Sequence, residues 1–167
     1  MKRIFIFIAM LLGLSTTGIA QTNSFRIVTS HPDLKIKVQR CEASGSTCII
    51  DLILENIGGS DVTIGFLCKK TVAYDDEANN YEGLVSLNGK PPRNTYYRTL
   101  LPVNVPIKAR VQIEGLSTAA TMFRRIDLNF YCDDWLIGNG DIGWSMMRKY
   151  EKFAKLMNVP ISREGDE

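Results

Sequence analysis

Apolar and polar residues alternate with a period of two along most of this chain. Successive side chains of a β-strand point to opposite faces, so this alternation predicts strands with one face on a core and the other in water. The segments with this pattern, or with a more continuous apolar run, are residues 25–28, 34–39, 49–54, 62–66, 107–114 and 126–130. The run at 49–54 is the most apolar, which predicts a central strand.

Turn-forming residues separate these segments. Ser44-Gly45-Ser46 and residues 56–61 lie between strands, and Asn88-Gly89 is a strong tight-turn dipeptide because both residues tolerate a positive φ. Prolines at 91, 92, 102 and 106 mark a loop or sheet edge, since proline cannot donate to a strand ladder. About seven short strands with such turns predict a mainly β fold, an antiparallel β-sandwich.

The C-terminal region has a different pattern, which predicts one α-helix over residues 141–158. Asp141 is a candidate N-cap, and Asn158 and Pro160 supply a stop. The residues at helical spacing on its apolar face are Gly143, Met146, Met147, Tyr150, Phe153, Ala154 and Met157. Three roles stay open for this helix: docking on the sandwich, filling a partner's groove, and, as the weakest, resting on an anionic membrane through Arg148, Lys149, Lys152 and Lys155.

The N-terminus has the three parts of a secretory signal peptide. Lys2 and Arg3 precede an apolar run at residues 4–14, and small residues at 18 and 20 suit a signal peptidase. We therefore expect a signal peptide at 1–20, a β-sandwich domain at 21–137, and the helix with a polar tail at 138–167. The residue directly after the predicted cut is Gln21 and not a cysteine, so we expect an exported protein, periplasmic or extracellular, without a lipid anchor.

The net charge argues against nucleic acid as a partner. The chain has 20 basic and 18 acidic residues, and loss of Lys2 and Arg3 leaves 18 of each. A neutral mature chain lacks the positive field that a nucleic-acid-binding protein needs.

All four cysteines lie after the predicted cut, and an even count in an exported chain favours disulfides. Cys68 shares strand parity with Val62, Ile64 and Phe66, and Cys132 shares it with Ile126, Leu128 and Phe130, so both are expected to face the core. Cys68–Cys132 is therefore the preferred bridge, with Cys41–Cys48 as the second. Cys48 lies on the apolar side of its strand but Cys41 shares parity with Lys35 and Lys37, so this pair needs a bulge or turn. Other connectivities, and four reduced thiols, stay open.

Candidate metal ligands occur in the acidic segment at residues 74–83. Asp75, Asp76, Glu77 and Asn79 offer the oxygen ligands that calcium prefers, but the spacing of an EF-hand is absent. A solvated hairpin between two strands is the stronger interpretation, and we expect no metal and no cofactor.

Catalytic motifs are absent from the sequence, which has a single histidine, His31. Asp133 and Asp134 are neighbouring carboxylates, but neighbours on a strand point opposite ways. We therefore expect no enzyme, and keep a small carboxylate-dependent hydrolase as the least favoured alternative. Exposed aromatic and arginine side chains favour binding instead, and the candidate binding residues are Tyr96, Tyr97, Arg98, Trp135 and Trp144.

The stretch from residue 34 to 132 resembles the small immunoglobulin-like domains of exported bacterial proteins, including families of unknown function. The resemblance rests on residues 50–56, on Ala73-Tyr74-Asp75-Asp76 with Tyr81, and on residues 101–103 and 111–113. It implies an immunoglobulin-like sandwich and transfers no catalytic residue.

These observations predict a non-catalytic interaction module that presents loops and a sheet face to an envelope or extracellular protein. A carbohydrate-binding domain that uses exposed tyrosines and tryptophans is the alternative.

Overall fold

The computed structural model describes residues 24–67, 71–90, 96–133 and 151–163, and only the backbone of residues 67, 96, 97 and 133. Its described part is all β and contains eleven strands. In chain order they are β1 (Arg26–Thr29), β2 (Leu34–Ser44), β3 (Thr47–Asn56), β4 (Val62–Leu67), β5 (Thr71–Asp75), β6 (Asn80–Leu87), β7 (Tyr96–Leu101), β8 (Ile107–Ile113), β9 (Met122–Asp133), β10 (Glu151–Pro160) and β11 (Ser162–Arg163).

The strands form one sheet in the order β1-β10-β9-β5-β6-β8-β3-β2-β11. The long strand β9 pairs with β10 along one edge, and along its other edge with β5 and then β4, which in turn pairs with β7. The sheet curls until β1 contacts β2, and the inward side chains of its two halves form a single core cluster. Phe66, Phe123 and Phe130 are the largest side chains in that core.

Strand β2 reverses its parity partway along. Its register with β3 shifts between Val38 and Arg40, which makes Gln39 the extra residue of a β-bulge. Before the bulge Leu34 and Ile36 are buried, and after it Cys41 and Ala43 are buried. A Cys41–Cys48 bridge needs a bulge or a turn that re-aims one cysteine, and this bulge turns Cys41 to the inner side of the strand.

Strands β9 and β10 also change parity, and they do so together. Leu156 pairs with Ile126, and Val159 pairs with Phe123, and all four side chains are buried. Asn158 has a φ of 56°, a left-handed conformation that asparagine tolerates better than most residues. Because the parity changes at the same level in β9 and β10, apolar side chains of both strands face the core on either side of this point.

The predicted fold class was wrong in its C-terminal helix, its number of strands and its uniform antiparallel pairing. Residues 151–160 form β10, which pairs with both β9 and β1, and β11 runs parallel to β2. Phe153, Ala154 and Met157 fit helical spacing, but Ala154 and Leu156 fit strand alternation equally well, and tertiary pairing decides between them. The rest of the predicted helix, residues 141–150, lies outside the described residues.

Several local predictions agree with the structure. The segments at 34–39, 49–54 and 126–130 lie in β2, β3 and β9, the segment at 107–114 covers β8, and Asn88 and Gly89 both have positive φ in the turn after β6. Within the described residues no helix is long and apolar enough to cross a membrane.

Candidate functional site

The sequence-predicted binding residues are only partly placed. Tyr96, Tyr97 and Arg98 open strand β7, and the Arg98 side chain is exposed. Trp135 and Trp144 lie outside the described residues, as do Asp134 and Cys68. The structure therefore does not show a common surface for the predicted aromatic anchors.

The acidic segment is a hairpin turn between β5 and β6, and its Asp75 carboxylate is buried rather than solvated. Asp75 accepts hydrogen bonds from the backbone N–H groups of Glu77 and Asn79, from the Asn79 side chain at 2.9 Å and from the Tyr81 hydroxyl at 2.7 Å. Burial raises the pKa of Asp75, but these donors outweigh it and hold that pKa below its usual value.

Asp76 ties the same turn to the loop before β9. Its carboxylate accepts from the backbone and hydroxyl of Thr121 and from the backbone N–H of Met122. Since N–H and O–H donors surround both carboxylates, their oxygens are engaged in holding the turn. Within the described residues no group of three or more His, Cys, Asp or Glu side chains could hold a metal ion. The calcium hypothesis for Asp75, Asp76, Glu77 and Asn79 therefore has no support in this geometry.

Cys41 and Cys48 lie side by side under the tip of the β2–β3 hairpin. Their Sγ atoms are 3.6 Å apart, which is a contact distance and longer than a covalent S–S bond of about 2.05 Å. A hydrogen bond between the two thiols and the nearby charge of Arg163 lower the pKa of Cys48. Cys132 is buried in the core, as its parity predicts.

The outer surface of β2, β3 and β8, here called the charge-paired face, consists of Lys35, Arg40, Glu42, Asp51, Glu55 and Arg110. Asp51 on the central strand accepts from Arg40 at 2.6 Å and from Arg110 at 2.7 Å. Arg40 also reaches Glu42 at 2.8 Å, and Lys35 lies 3.5 Å from Glu55. Led by Arg110, these guanidinium groups hold the pKa of Asp51 below its usual value. The six charges named here are matched within the face, whereas Lys37 and Lys108, exposed on either side of Ile53 on the same outer surface, form no ion pair among the described residues.

A shallow depression of about 380 Å³ adjoins the charge-paired face beside Leu84 on β6. Asp51 and Arg110, which line it, already bind each other. A ligand in this depression would compete with those ion pairs.

A second outer surface covers β1, β10, β9 and β5. We call it the basic-apolar face, and it consists of Arg26, Val28, Tyr74, Arg125, Asp127, Phe153, Lys155 and Met157. Cross-strand pairing places Arg26, Met157, Arg125 and Tyr74 in one row and Val28, Lys155 and Asp127 in the next. Val28, Tyr74 and Phe153 are 38%, 39% and 40% exposed, so three large apolar side chains meet solvent here.

Cations of the basic-apolar face lie over its aromatic rings. The Arg125 guanidinium is 5.8 Å from the centre of the Tyr74 ring, and the Lys155 ammonium is 5.0 Å from that of Phe153. Arg125 also binds Asp127 through two hydrogen bonds. Among the described residues, Arg26 and Lys155 form no ion pair. Arg26, Arg125 and Lys155 therefore share this surface with Asp127, and Glu151 at the start of β10 has the same strand parity as Phe153 and Lys155.

Sequence analysis missed the basic-apolar face. Four of its residues had been assigned to a helix or not placed, and Tyr74 had been read as part of the acidic turn. Alternation at residues 153–157, with Phe153, Lys155 and Met157 on one side, was the available signal.

Comparison with known proteins assigns no family. No protein-family model matches the chain, and no curated protein matches it. Among solved structures, the chain is similar to the ASH/PapD-like domain 7 of human CEP192, with 13% identity, a TM-score of 0.38 and coverage of 81% of this chain and 87% of that one. It is also similar to the N-terminal domain of PorA, with 14% identity, a TM-score of 0.37 and coverage of 80% and 99%. Similarities this weak carry no conclusion about function.

Proposed function

We propose that this protein is an exported, non-catalytic interaction module that binds an acidic surface of a protein partner through its basic-apolar face. The observation that carries the proposal is the combination of exposed Val28, Tyr74 and Phe153 with the cations Arg26 and Lys155 on one sheet face. Aromatic side chains and arginine are the residues that most often anchor protein interfaces.

The charges on this face favour an acidic partner. Arg125 binds Asp127, whereas Arg26 and Lys155 form no ion pair among the described residues. Unneutralised charge on a surface speeds encounter with a surface of opposite sign, and exposed apolar groups then contribute to affinity. A nucleic acid is a poorer fit because the predicted mature chain is neutral as a whole.

Export rests on the N-terminal sequence, where Lys2 and Arg3 precede an apolar run and small residues. The non-catalytic role is supported by the state of the carboxylates. Asp51 is held by two arginines, and Asp75 by four donors in its own turn.

Carbohydrate binding is less well supported by this face. Sugar rings stack on aromatic faces, but Arg125 and Lys155 already lie over Tyr74 and Phe153. A sugar would have to displace both cations. The tyrosines and tryptophans of the original carbohydrate hypothesis are not brought onto this face by the described residues.

Site-specific photo-crosslinking tests the proposed function. A photo-reactive phenylalanine analogue replaces Phe153 in the full chain, which is expressed in cells that naturally produce the protein. We expect one discrete adduct with an acidic protein on irradiation, and expect Lys155→Glu introduced into the same chain to reduce its yield several-fold.

The matched control places the same analogue at Leu84, which is 47% exposed on the outer surface of β6. Lys108→Glu, an exposed lysine on the neighbouring strand β8, is the control for the charge change. Equal adduct yields from positions 84 and 153, or a yield from 153 that Lys155→Glu leaves unchanged, would contradict the proposal.

A further inference from the structure

The bulge at Gln39 brings two cysteines to the same side of the β2–β3 hairpin. It turns Cys41 inward, next to Ala43, whose partner across the strands is Cys48. Cys41 and Cys48 are therefore diagonal neighbours on one face, and both are buried. Without the extra residue, Cys41 would point to solvent with Lys35 and Lys37.

We propose that Cys41 and Cys48 form a disulfide bond that closes the β2–β3 hairpin. Their sulfurs are already in contact at 3.6 Å, so a further approach of about 1.5 Å would bring them to bonding distance. The backbone around them is held independently of the sulfurs. Ser162 donates to the carbonyl of Cys41 at 2.8 Å, and Arg163 donates to the carbonyl of Gly45 in the hairpin turn.

The geometry also selects this pairing over bridges to Cys132. Arg163 links Gly45 to Ala120, so the hairpin turn lies near the loop that precedes β9. Cys132 lies ten residues beyond Met122 along extended β9, roughly 30 Å further on at 3.3 Å per residue. Cys48 is only three residues from Gly45. A bridge from Cys41 or Cys48 to Cys132 would therefore require the strands to separate.

The chemistry is ordinary thiol–disulfide exchange with a small disulfide such as glutathione disulfide as oxidant. The Cys48 thiolate attacks the oxidant, forms a mixed disulfide and releases one small thiolate. The Cys41 sulfur, after giving up its proton, attacks the Cys48 sulfur and releases the second small thiolate. One protein S–S bond forms, one small disulfide is reduced to two thiols, and two electrons pass to the oxidant. Because both sulfurs are buried in the folded chain, we place these steps during folding.

Peptide mapping tests the pairing on the full chain. The chain is refolded from urea in a glutathione redox buffer, its free thiols are blocked with N-ethylmaleimide in urea so that buried thiols also react, and the product is cut with trypsin and an endoprotease specific for glutamate. Cleavage after Arg40, Glu42 and Glu55 separates residues 41–42 from residues 43–55. We expect these two peptides to remain joined in most molecules, and to separate on reduction.

N-ethylmaleimide on both Cys41 and Cys48, or residues 41–42 joined to the peptide of Cys68 or Cys132, would overturn the proposal. Cys48→Ala is the matched control, in which Cys41 is expected to become reactive to N-ethylmaleimide. A second measurement compares the free energy of unfolding in urea with and without reductant. Reductant should lower this free energy less in the Cys41→Ala/Cys48→Ala chain than in the unchanged chain, because the double variant lacks this bridge. An identical response in both chains would contradict the pairing.

Discussion

The charge-paired face and the basic-apolar face are built from the same alternation on the same curled sheet, yet they differ in how their charges are satisfied. On the first, Asp51 on the central strand binds arginines from both neighbouring strands. On the second, Lys155 lies over Phe153 and Arg125 over Tyr74. On the first face most cations bind carboxylates and, among its described residues, only Lys37 and Lys108 form no ion pair, whereas on the second face cations lie over aromatic rings beside exposed apolar side chains.

This difference explains why one face suits binding and the other suits stability. A partner on the charge-paired face must compete with existing ion pairs, at a cost in desolvation and rearrangement. A partner on the basic-apolar face covers exposed apolar surface and meets charges that need a counter-charge. Alternation determines which side chains face outward. The side chains next to them on neighbouring strands determine whether those outward charges are already paired or are available to a partner.

The largest expected effect concerns the hairpin under the charge-paired face. Loss of the proposed Cys41–Cys48 bridge in the Cys41→Ala/Cys48→Ala chain should lower the free energy of unfolding by about 2.5 kcal/mol, because the bridge closes a loop of about eight residues. Urea denaturation of both oxidised chains measures it. Hydrogen exchange should speed up at the β2–β3 hairpin and stay unchanged at β10. An equal increase of the hydrogen-exchange rate at the β2–β3 hairpin and at β10 would contradict an effect confined to the hairpin.

The next effect concerns a close approach near the basic-apolar face. Gly65 on β4 lies under the Tyr131 ring, and a Cβ at residue 65 would be 2.6 Å from that ring. Gly65→Ala should therefore destabilise the fold by about 2 kcal/mol, since Tyr131 is buried and must move.

Gly59→Ala is the control for this glycine, because a Cβ there meets no atom within 4 Å. Thermal unfolding should show a change of less than about 0.5 kcal/mol for Gly59→Ala. Similar losses in the two variants would show that backbone entropy, rather than Tyr131, limits the site.

Substitution of one aspartate on each face allows a direct comparison of the two faces. Asp51 and Asp127 have nearly equal side-chain exposure, 18% and 17%, but Asp51 binds two arginines and Asp127 binds one. We expect Asp51→Asn to cost about 1 kcal/mol and Asp127→Asn about 0.5 kcal/mol, both reduced by salt. Urea denaturation at low and high ionic strength measures the loss in each variant. An equal loss of unfolding free energy would contradict the expectation that the two ion pairs of Asp51 stabilise the fold more than the one ion pair of Asp127.

A pH titration separates Asp51 from the turn that Asp75 and Asp76 hold. The folded-state pKa of each lies below 3.8, so each contributes stability that is present above that pH and lost as the pH falls through the folded value. We expect unfolding free energy to be nearly constant above about pH 5 and to decline below pH 4.

Asp75→Asn should flatten part of that acid decline. Because Asp75 is bound by uncharged donors, its contribution to the loss of stability at low pH should persist in high salt. The contribution of Asp51, which is bound by arginines, should become smaller. Denaturation curves at pH 3 and pH 6, with and without salt, check this. A decline that salt removes completely would contradict the role of Asp75.

The smallest expected effect on stability is that of Lys155→Glu, which should change unfolding free energy by less than about 0.5 kcal/mol because the side chain is partly exposed on the surface. Circular dichroism during thermal unfolding measures it. Any larger loss would mean that this lysine supports the fold, and that reduced crosslinking in the same variant has a structural cause.

Local pattern was sufficient for most of the strands and for some side-chain directions. Alternation predicted β8, the first half of β2 and the centre of β9, Asn88-Gly89 marked its turn, and the parity of Cys132 predicted its burial. The parity of Cys41 showed that a Cys41–Cys48 bridge needs a bulge or a turn, and the strand has a bulge at Gln39. These features depend on backbone geometry within a few residues, which the chain carries in its own sequence.

Tertiary structure alone decided the state of residues 151–160, the pairing across each outer face and the burial of Asp75. β10 is a strand because β9 and β1 supply its hydrogen-bond partners, and these lie roughly 20 and 130 residues away along the chain. Asp51 meets two arginines only because β3 lies between β2 and β8. The alternation in the sequence shows which side chains turn inward. Strand order in the fold determines which side chains contact each other, because those contacts form between segments that are distant in sequence.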